Sequence, residues 1–322
     1  MVDLRVEGLT TYFFTRRGIV KAVDNVSFNL RDESWGIAGE SGCGKSTLGL
    51  SLLRLVPPPG RIVKGSMILD GEDLLAMDEK TFRSRVRWKK ISMIFQGAMN
   101  ALNPVYPIGY QLAEPLIYHY GFSKSEALNF VKDALKEVRL SPSLIDRYPH
   151  ELSGGMKQRV VIAMALVLKP KIVVADEPTT ALDLIVQAQI INLMKRLKWE
   201  SKVSFILMTH DLSMISEIAD KVAIMYAGKL VESGTSERLY SDPKHPYTQS
   251  LLSAIPRLRG GKKKLTFIPG SPPDLIDPPS GCRFHPRCVH ALQICREREP
   301  PSIDLGDGTM VSCWLYEGGQ TH

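Results

Sequence analysis

No apolar run in this chain of 322 residues reaches the roughly 18 residues that a membrane-spanning helix needs. The longest candidate, residues 160–175, is interrupted by Lys169-Pro170-Lys171 and reads as a helix, a turn and a strand. The N-terminus, Met1-Val2-Asp3-Leu4-Arg5, lacks the apolar core of a signal peptide. A soluble, cytoplasmic protein is the expectation. Cysteine is scarce: five residues, one at position 43 and four within the last 41 residues. In a reducing compartment such clustering argues for metal over disulfides. Apolar residues make up 44% of the chain, enough for a sizeable core, and the length suggests about two domains. The net charge of +7 suits a nucleotide, a nucleic acid or an anionic membrane face, and by itself selects none of them.

The stretch Gly39-Glu40-Ser41-Gly42-Cys43-Gly44-Lys45-Ser46 fits the phosphate-loop pattern G-x-x-x-x-G-K-[ST]. A short apolar strand, Trp35 to Ala38, precedes it, and a helix is expected from Thr47 onward. Gly39, Gly42 and Gly44 let the backbone wrap around phosphate oxygens, where a Cβ would clash. Successive N–H groups then form an anion nest at the positive end of a helix. Lys45 adds a mobile charge for the β- and γ-phosphates. Ser46 offers a hydroxyl to Mg²⁺ and Thr47 one to the α-phosphate.

Around this loop the chain places polar groups at strand ends. Residues 4–9 and 22–30 alternate apolar and polar and suit an antiparallel edge sheet. Between them, an aromatic of Tyr12-Phe13-Phe14 can stack on adenine; Phe13 is favoured, Tyr12 comes next, and ordinary strand packing competes for each. The basic run Lys80 to Lys90 reads as a solvated face. Ile91 to Gln96 is a buried-type strand whose terminal Gln96 can reach a metal or water at the carboxyl edge of a sheet. Residues 97–168 read as helical, with no strand alternating. At Leu152-Ser153-Gly154-Gly155-Met156, a serine and two glycines open a helix and suit a second anion nest; a plain cap explains Ser153 but not the paired glycines. Lys171 to Glu177 is a β-branched strand ending in two acids. Asp176 can take Mg²⁺, and Glu177 can accept a proton from an attacking water. Val203 to His210 is another buried strand with a polar tip.

In this order the motifs resemble those of an ABC transporter ATPase subunit. Gly39–Ser46 looks like Walker A, Gln96 like the Q-loop, and Leu152–Met156 like the signature LSGGQ. Residues 172–176 with Glu177 look like Walker B and its catalytic glutamate, Ala181-Leu182-Asp183 like the D-loop, and His210 like the H-loop switch. Finer motifs resemble the dipeptide/oligopeptide importer branch: Tyr148-Pro149-His150-Glu151, residues 180–189, His245-Pro246-Tyr247-Thr248, residues 251–256 and Gly281 to Cys288. Two departures stand out. Met156 replaces the usual signature glutamine. Asp32-Glu33 replaces a Gly-Glu turn, so a differently shaped turn is expected there.

The resemblance implies two ATPase subunits, identical or homologous, sandwiching two ATP molecules head to tail. Each site would pair one loop with the other chain's Ser153–Gly155 segment, and Asp183 would communicate across the dimer. Glu177, His210 and Gln96 would be catalytic. Phe13, Gly39, Ser41, Gly42, Cys43, Gly44, Lys45, Ser46 and Thr47 would bind nucleotide, with Ser46, Gln96 and Asp176 around Mg²⁺. The implied partners are two transmembrane permease subunits, contacted near residues 97–115, and indirectly an extracytoplasmic solute-binding protein, with no nucleic acid. Peripheral attachment to the cytoplasmic face of the cell membrane follows. Rival readings are a soluble ABC ATPase acting on nucleic acid or the ribosome, an importer of nickel or oligosaccharide, and a regulatory module timed by ATP. The soluble ATPases usually carry two cassettes or long coiled-coil insertions; this chain has neither.

The expected architecture is an α/β phosphate-loop NTPase (RecA-like) core in residues 1–96 and 166–235, with an antiparallel β edge subdomain. A helical insert occupies 97–165, and a small irregular metal-binding domain 236–322. The linker Gly260-Gly261-Lys262-Lys263-Lys264 and proline-rich 269–279 lead into the tail. Cys282, Cys288, Cys295 and Cys313 are separated by five, six and seventeen residues, without the tight C-x₂₋₄-C knuckles of a zinc ribbon. That spacing suits a [4Fe–4S] cube, whose irons each take one cysteine. Zinc, with His285 or His290 as substitute ligands, and unligated structural cysteines remain alternatives. A metal would explain how so short a tail holds a fold.

Overall fold

The computed structural model describes residues 2–254 and 268–317; the linker Gly260–Lys264, and Ile255 and Pro256 of the motif above, lie outside them. The chain resolves into two compact units, residues 3–71 with 209–322, and residues 1–2 with 72–208.

In the first unit the alternation of the N-terminal residues becomes two long antiparallel strands, Asp3–Thr15 and Gly18–Arg31, paired from Asp3 opposite Arg31 to Thr15 opposite Gly18 with register shifts between Val6 and Phe13. Gly60–Leu69 pairs antiparallel along the other edge of Asp3–Thr15. Leu4, Val6, Leu9, Val26 and Leu30 are buried, which places one face of this sheet in the core. Asp32 carries φ +54° in the turn that follows. Asp32 thus takes the left-handed conformation that glycine favours and aspartate tolerates.

Beyond it, Trp35–Ala38 is buried at all four residues and runs parallel to Lys221–Tyr226. A continuous apolar run suits a strand covered on both faces. Lys229–Thr235 adds antiparallel to Lys221–Tyr226. The tail then extends the same sheet: Met310–Val311 pairs with Lys229–Thr235, and Ile303–Asp304 pairs with Met310–Val311. Phe284 lies 5.2 Å from both Tyr226 and Tyr247, ring to ring. The cysteine-bearing segment thus shares one apolar core with the strands beside the phosphate loop.

The second unit has three buried parallel strands, Ile91–Ile94, Ile172–Asp176 and Ser204–Thr209, in that spatial order. Between residues 97 and 168, helices Ile108–Tyr120, Lys124–Glu137 and Gly154–Leu166 and short 3₁₀ turns occur, and no strand. Helix Lys124–Glu137 starts at a reciprocal capping box between Ser123 and Glu126. The basic run is partly a helix, Glu79–Arg85, which buries Phe82 completely. Three of its charges are paired: Arg85 and Lys90 with Glu72, and Arg87 with Glu79, each at 2.6 Å. No helix among the described residues is long and apolar enough to cross a membrane.

Candidate nucleotide site

The phosphate loop leaves the end of Trp35–Ala38 and enters helix Lys45–Leu52. Backbone proximity explains two of its glycines. A Cβ at Gly39 would lie 2.1 Å from the carbonyl oxygen of Met225, and one at Gly44 would lie 2.0 Å from that of Ala22. Gly42 faces open space and needs glycine for its φ of +78°. No side chain caps the helix at Gly44, so its first N–H groups are left for an anion. Ser41 and Ser46 are exposed and Thr47 half-exposed. Cys43 turns its thiol inward, 2% exposed, and burial raises its pKa. Its contribution to a ligand is therefore through its backbone.

Lys45 is buried and curls back over the loop. Its Nζ donates to the carbonyls of Gly39 at 2.6 Å and Glu40 at 3.1 Å. Phosphate oxygens would compete for those same donors.

Two supports under this loop come from residues distant in sequence. The Tyr247 hydroxyl accepts the Glu40 N–H at 3.0 Å. Tyr247 is fully buried, and His245 sets its position: His245 Nδ1 accepts the Tyr247 N–H at 3.0 Å, capping helix Pro246–Ser253. Burial pulls the His245 pKa down to about 3. The His-Pro-Tyr-Thr motif thus fixes the loop from beneath. Arg287 grips the Glu40 carboxylate through both terminal nitrogens, at 2.7 and 3.0 Å.

The three aromatics of Asp3–Thr15 part ways. Phe13 packs against Gly60 and Val56, where its ring would lie 2.6 Å from a Cβ at Gly60. Phe14 lies under the Arg61 guanidinium at 4.2 Å. Tyr12 donates to Asp24 at 2.8 Å; burial, then that bond, push its pKa up to about 12. Burial works against the Asp24 carboxylate, but Lys229, Tyr12 and Arg283 hold its pKa below the usual range. His210 is exposed at the end of Ser204–Thr209, just ahead of helix Leu212–Ile218, which Asp211 caps.

In the other unit, Gln96 is exposed two residues beyond Ile91–Ile94. Asp176 ends its strand, 3% exposed. Glu177 follows with φ +48° and its N–H on the carbonyl of Met208 at 2.8 Å. A left-handed glutamate is strained. It turns the chain sharply between the two acids, so they do not continue the alternation of the strand. Ser153 caps helix Gly154–Leu166 by accepting the Met156 N–H. Gly155 has a packing reason as well: a Cβ there would meet Val186 Cγ1 at 2.7 Å, on helix Leu184–Glu200. Gly155 therefore serves helix contact in addition to any anion nest. Asp183 caps Leu184–Glu200 by accepting the Val186 N–H at 2.9 Å. Buried Gln158 donates to the Pro178 carbonyl at 2.6 Å, tying the signature helix to the turn after Glu177. Nothing in its sequence context announced that bond.

The four tail cysteines are free thiols brought to one locality. Gly281, at φ +63°, allows the backbones to meet, since a Cβ there would lie 2.4 Å from the Cys295 carbonyl. The Cys282 N–H donates to that same carbonyl at 2.8 Å. Burial raises the Cys282 pKa to about 11 and the Cys313 pKa to about 12, and Cys313 feels all three other thiols. His285 Nδ1 is 3.0 Å from the Cys282 carbonyl. Among the described residues no group of three or more His, Cys, Asp or Glu is arranged to hold a metal ion. The expectation of a visible metal-binding domain is not met in that form.

Comparisons with known proteins give the family. The model of the ABC transporter family matches residues 23–180, and that of the oligopeptide/dipeptide transporter C-terminal region matches residues 231–295. The fold is shared with the dimeric ATP-binding cassette MJ0796 solved with ADP and Pi, at TM-score 0.64 and 28% identity, over 72% of this chain and 98% of that one. The chain is 42% identical over 322 residues to the dipeptide transport ATP-binding protein DppD of Caldanaerobacter subterraneus subsp. tengcongensis, covering 99% of this chain and 98% of the relative. It is 44% identical over 317 residues to the oligopeptide transport ATP-binding protein OppD of Bacillus subtilis, covering 97% and 88%. The chain belongs to the ABC transporter family, as an ATP-binding subunit of its dipeptide/oligopeptide branch.

Proposed function

We propose that this chain hydrolyses ATP to power the import of di- or oligopeptides through a membrane ABC transporter. The observation that carries this reading is the near-full-length likeness to dipeptide and oligopeptide transport ATP-binding proteins, tail included. In this reading the loop Gly39–Thr47 holds the phosphates, and Lys45 exchanges its two carbonyl partners for phosphate oxygens. Ser46, Gln96 and Asp176 are the residues that would hold Mg²⁺, which would supply positive charge toward the phosphates. Glu177 takes the proton of the attacking water, and His210 with Lys45 stabilises the charge that develops. Phe13 stacks on adenine. Ser153 and Gly155 serve the nucleotide of a second ATPase subunit, identical or homologous, and Asp183 faces across that dimer. Residues 97–165 act as the arm carrying the signature, and residues 236–322 as an accessory module. The working partners are two permease subunits at the cytoplasmic face of the cell membrane and, indirectly, a solute-binding protein.

Four converging free thiols support a [4Fe–4S] cluster on Cys282, Cys288, Cys295 and Cys313. The cysteine spacing, without the tight knuckles of a zinc ribbon, favours this over zinc. Such a group would supply cross-linking of the tail. Metal and sulfide analysis of anaerobically purified protein tests it: about four irons and four sulfides per chain support the cluster, and one zinc with no iron overturns it.

The transport reading is tested by purifying the tagged chain from detergent-solubilised membranes. Two multispanning proteins should accompany it. Nucleic acid or ribosomes in their place would transfer the chain to the soluble ATPases. Lys45→Ala should lose nucleotide affinity; undiminished binding would remove the phosphate-loop assignment.

A further inference from the structure

Glu40 places a carboxylate on the phosphate loop itself, beside a site meant for anions. Its backbone is fully engaged: the N–H bonds the Tyr247 hydroxyl and the carbonyl accepts Lys45. Its side chain is held by one residue from the tail, 247 positions away in sequence. Arg287 reaches both Glu40 oxygens, the planar fork that a guanidinium forms with a carboxylate. The remaining Arg287 donors are also placed. Nε bonds the Pro269 carbonyl at 2.7 Å, and the terminal nitrogens reach the Tyr226 hydroxyl at 3.3 Å and the Gly270 carbonyl at 3.4 Å. The Arg287 side chain is 6% exposed against 26% for Glu40. A second arginine of the same segment acts alike: Arg283 bonds the Ala227 carbonyl and the Asp24 carboxylate, and Asp24 holds Tyr12. Each arginine adjoins a cysteine, Cys282-Arg283 and Arg287-Cys288.

We propose that Arg287 is a positioning residue for nucleotide binding: it cancels the Glu40 carboxylate at the rim of the phosphate loop, and so makes nucleotide affinity depend on the folded cysteine-bearing segment. The proposal rests on the reading that residues 39–46 take the phosphates. A salt bridge that merely held the tail would serve stability whichever partner carried the negative charge. Here the charge stands on the loop. Its neutralisation removes a repulsion that every bound phosphate would otherwise meet.

The test is the Kd for MgADP and MgATP, by calorimetry on the full chain, for the parent, R287Q, E40Q and the double variant. R287Q leaves an unpaired carboxylate at the rim and should weaken binding about fivefold to tenfold, the scale of one uncompensated charge a few ångström from the phosphates in a half-exposed setting. The double variant has no carboxylate to expose and should return to within about threefold of the parent. A tail damaged by loss of Arg287 cannot be rescued by changing Glu40. Parental affinity in R287Q, or a double variant as weak as R287Q alone, overturns the proposal. K45A separates the two levels: if it binds as tightly as the parent, the loop reading falls and this inference falls with it.

Discussion

His245 should make the phosphate-loop unit acid-labile in a measurable way. The imidazole is 1% exposed. Its Nδ1 is occupied as acceptor for the Tyr247 N–H, its backbone N–H bonds Glu232, and Phe284 lies 5.7 Å away, ring to ring. Burial lowers its pKa from 6.5 to about 3. Below pH 6.5 the unfolded chain therefore binds a proton that the folded chain refuses, and stability falls as pH falls, down to about pH 3. At pH 5 the loss is about 2 kcal/mol, from 1.36 kcal/mol per unit over the 1.5 units below the unfolded pKa. The figure holds as long as the folded pKa stays well under 5. His245→Asn keeps a capping oxygen for the helix start and cannot titrate. Urea unfolding of both proteins, without nucleotide, at pH 7.5 and 5.0 gives the difference. Glu232, whose pKa burial raises, is common to both and drops out of it. The parent should lose about 2 kcal/mol more than His245→Asn over this interval. Equal losses would refute a neutral buried imidazole.

Two further outcomes are expected. Glu177→Gln should lower ATP turnover at least about a hundredfold while retaining ATP binding, and should trap an ATP-bound dimer visible by size-exclusion chromatography; undiminished hydrolysis would strip Glu177 of its role as base. Gly155→Leu should drive a side chain into Val186, 2.7 Å from where its Cβ would stand, costing about 1–3 kcal/mol. A thermal melt unchanged from the parent would show that the two helices are not held at that distance.

Much of the nucleotide site was legible because its requirements are local. Gly39 and Gly44 are needed where the chain brushes backbone carbonyls, and a spacing of glycines with a lysine states that need directly. The buried runs Ile91–Ile94, Ile172–Asp176 and Ser204–Thr209 were readable as strands, since uninterrupted apolar residues of that length suit a sheet covered on both faces. Some motif residues also do local structural work. Ser153 and Asp183 are helix caps in addition to any role toward nucleotide.

By itself the sequence determined where a phosphate could be wrapped, which strand ends are polar, and that residues 97–168 carry helices and no strand. Each depends on neighbours a few residues apart, and residue type sets that energy directly. Only the tertiary structure decided that Tyr247 supports the Glu40 amide and that Arg287 neutralises its carboxylate. Those contacts join residues far apart in sequence. Their partners are selected by which surfaces the folded sheet buries together, and no local pattern encodes that choice.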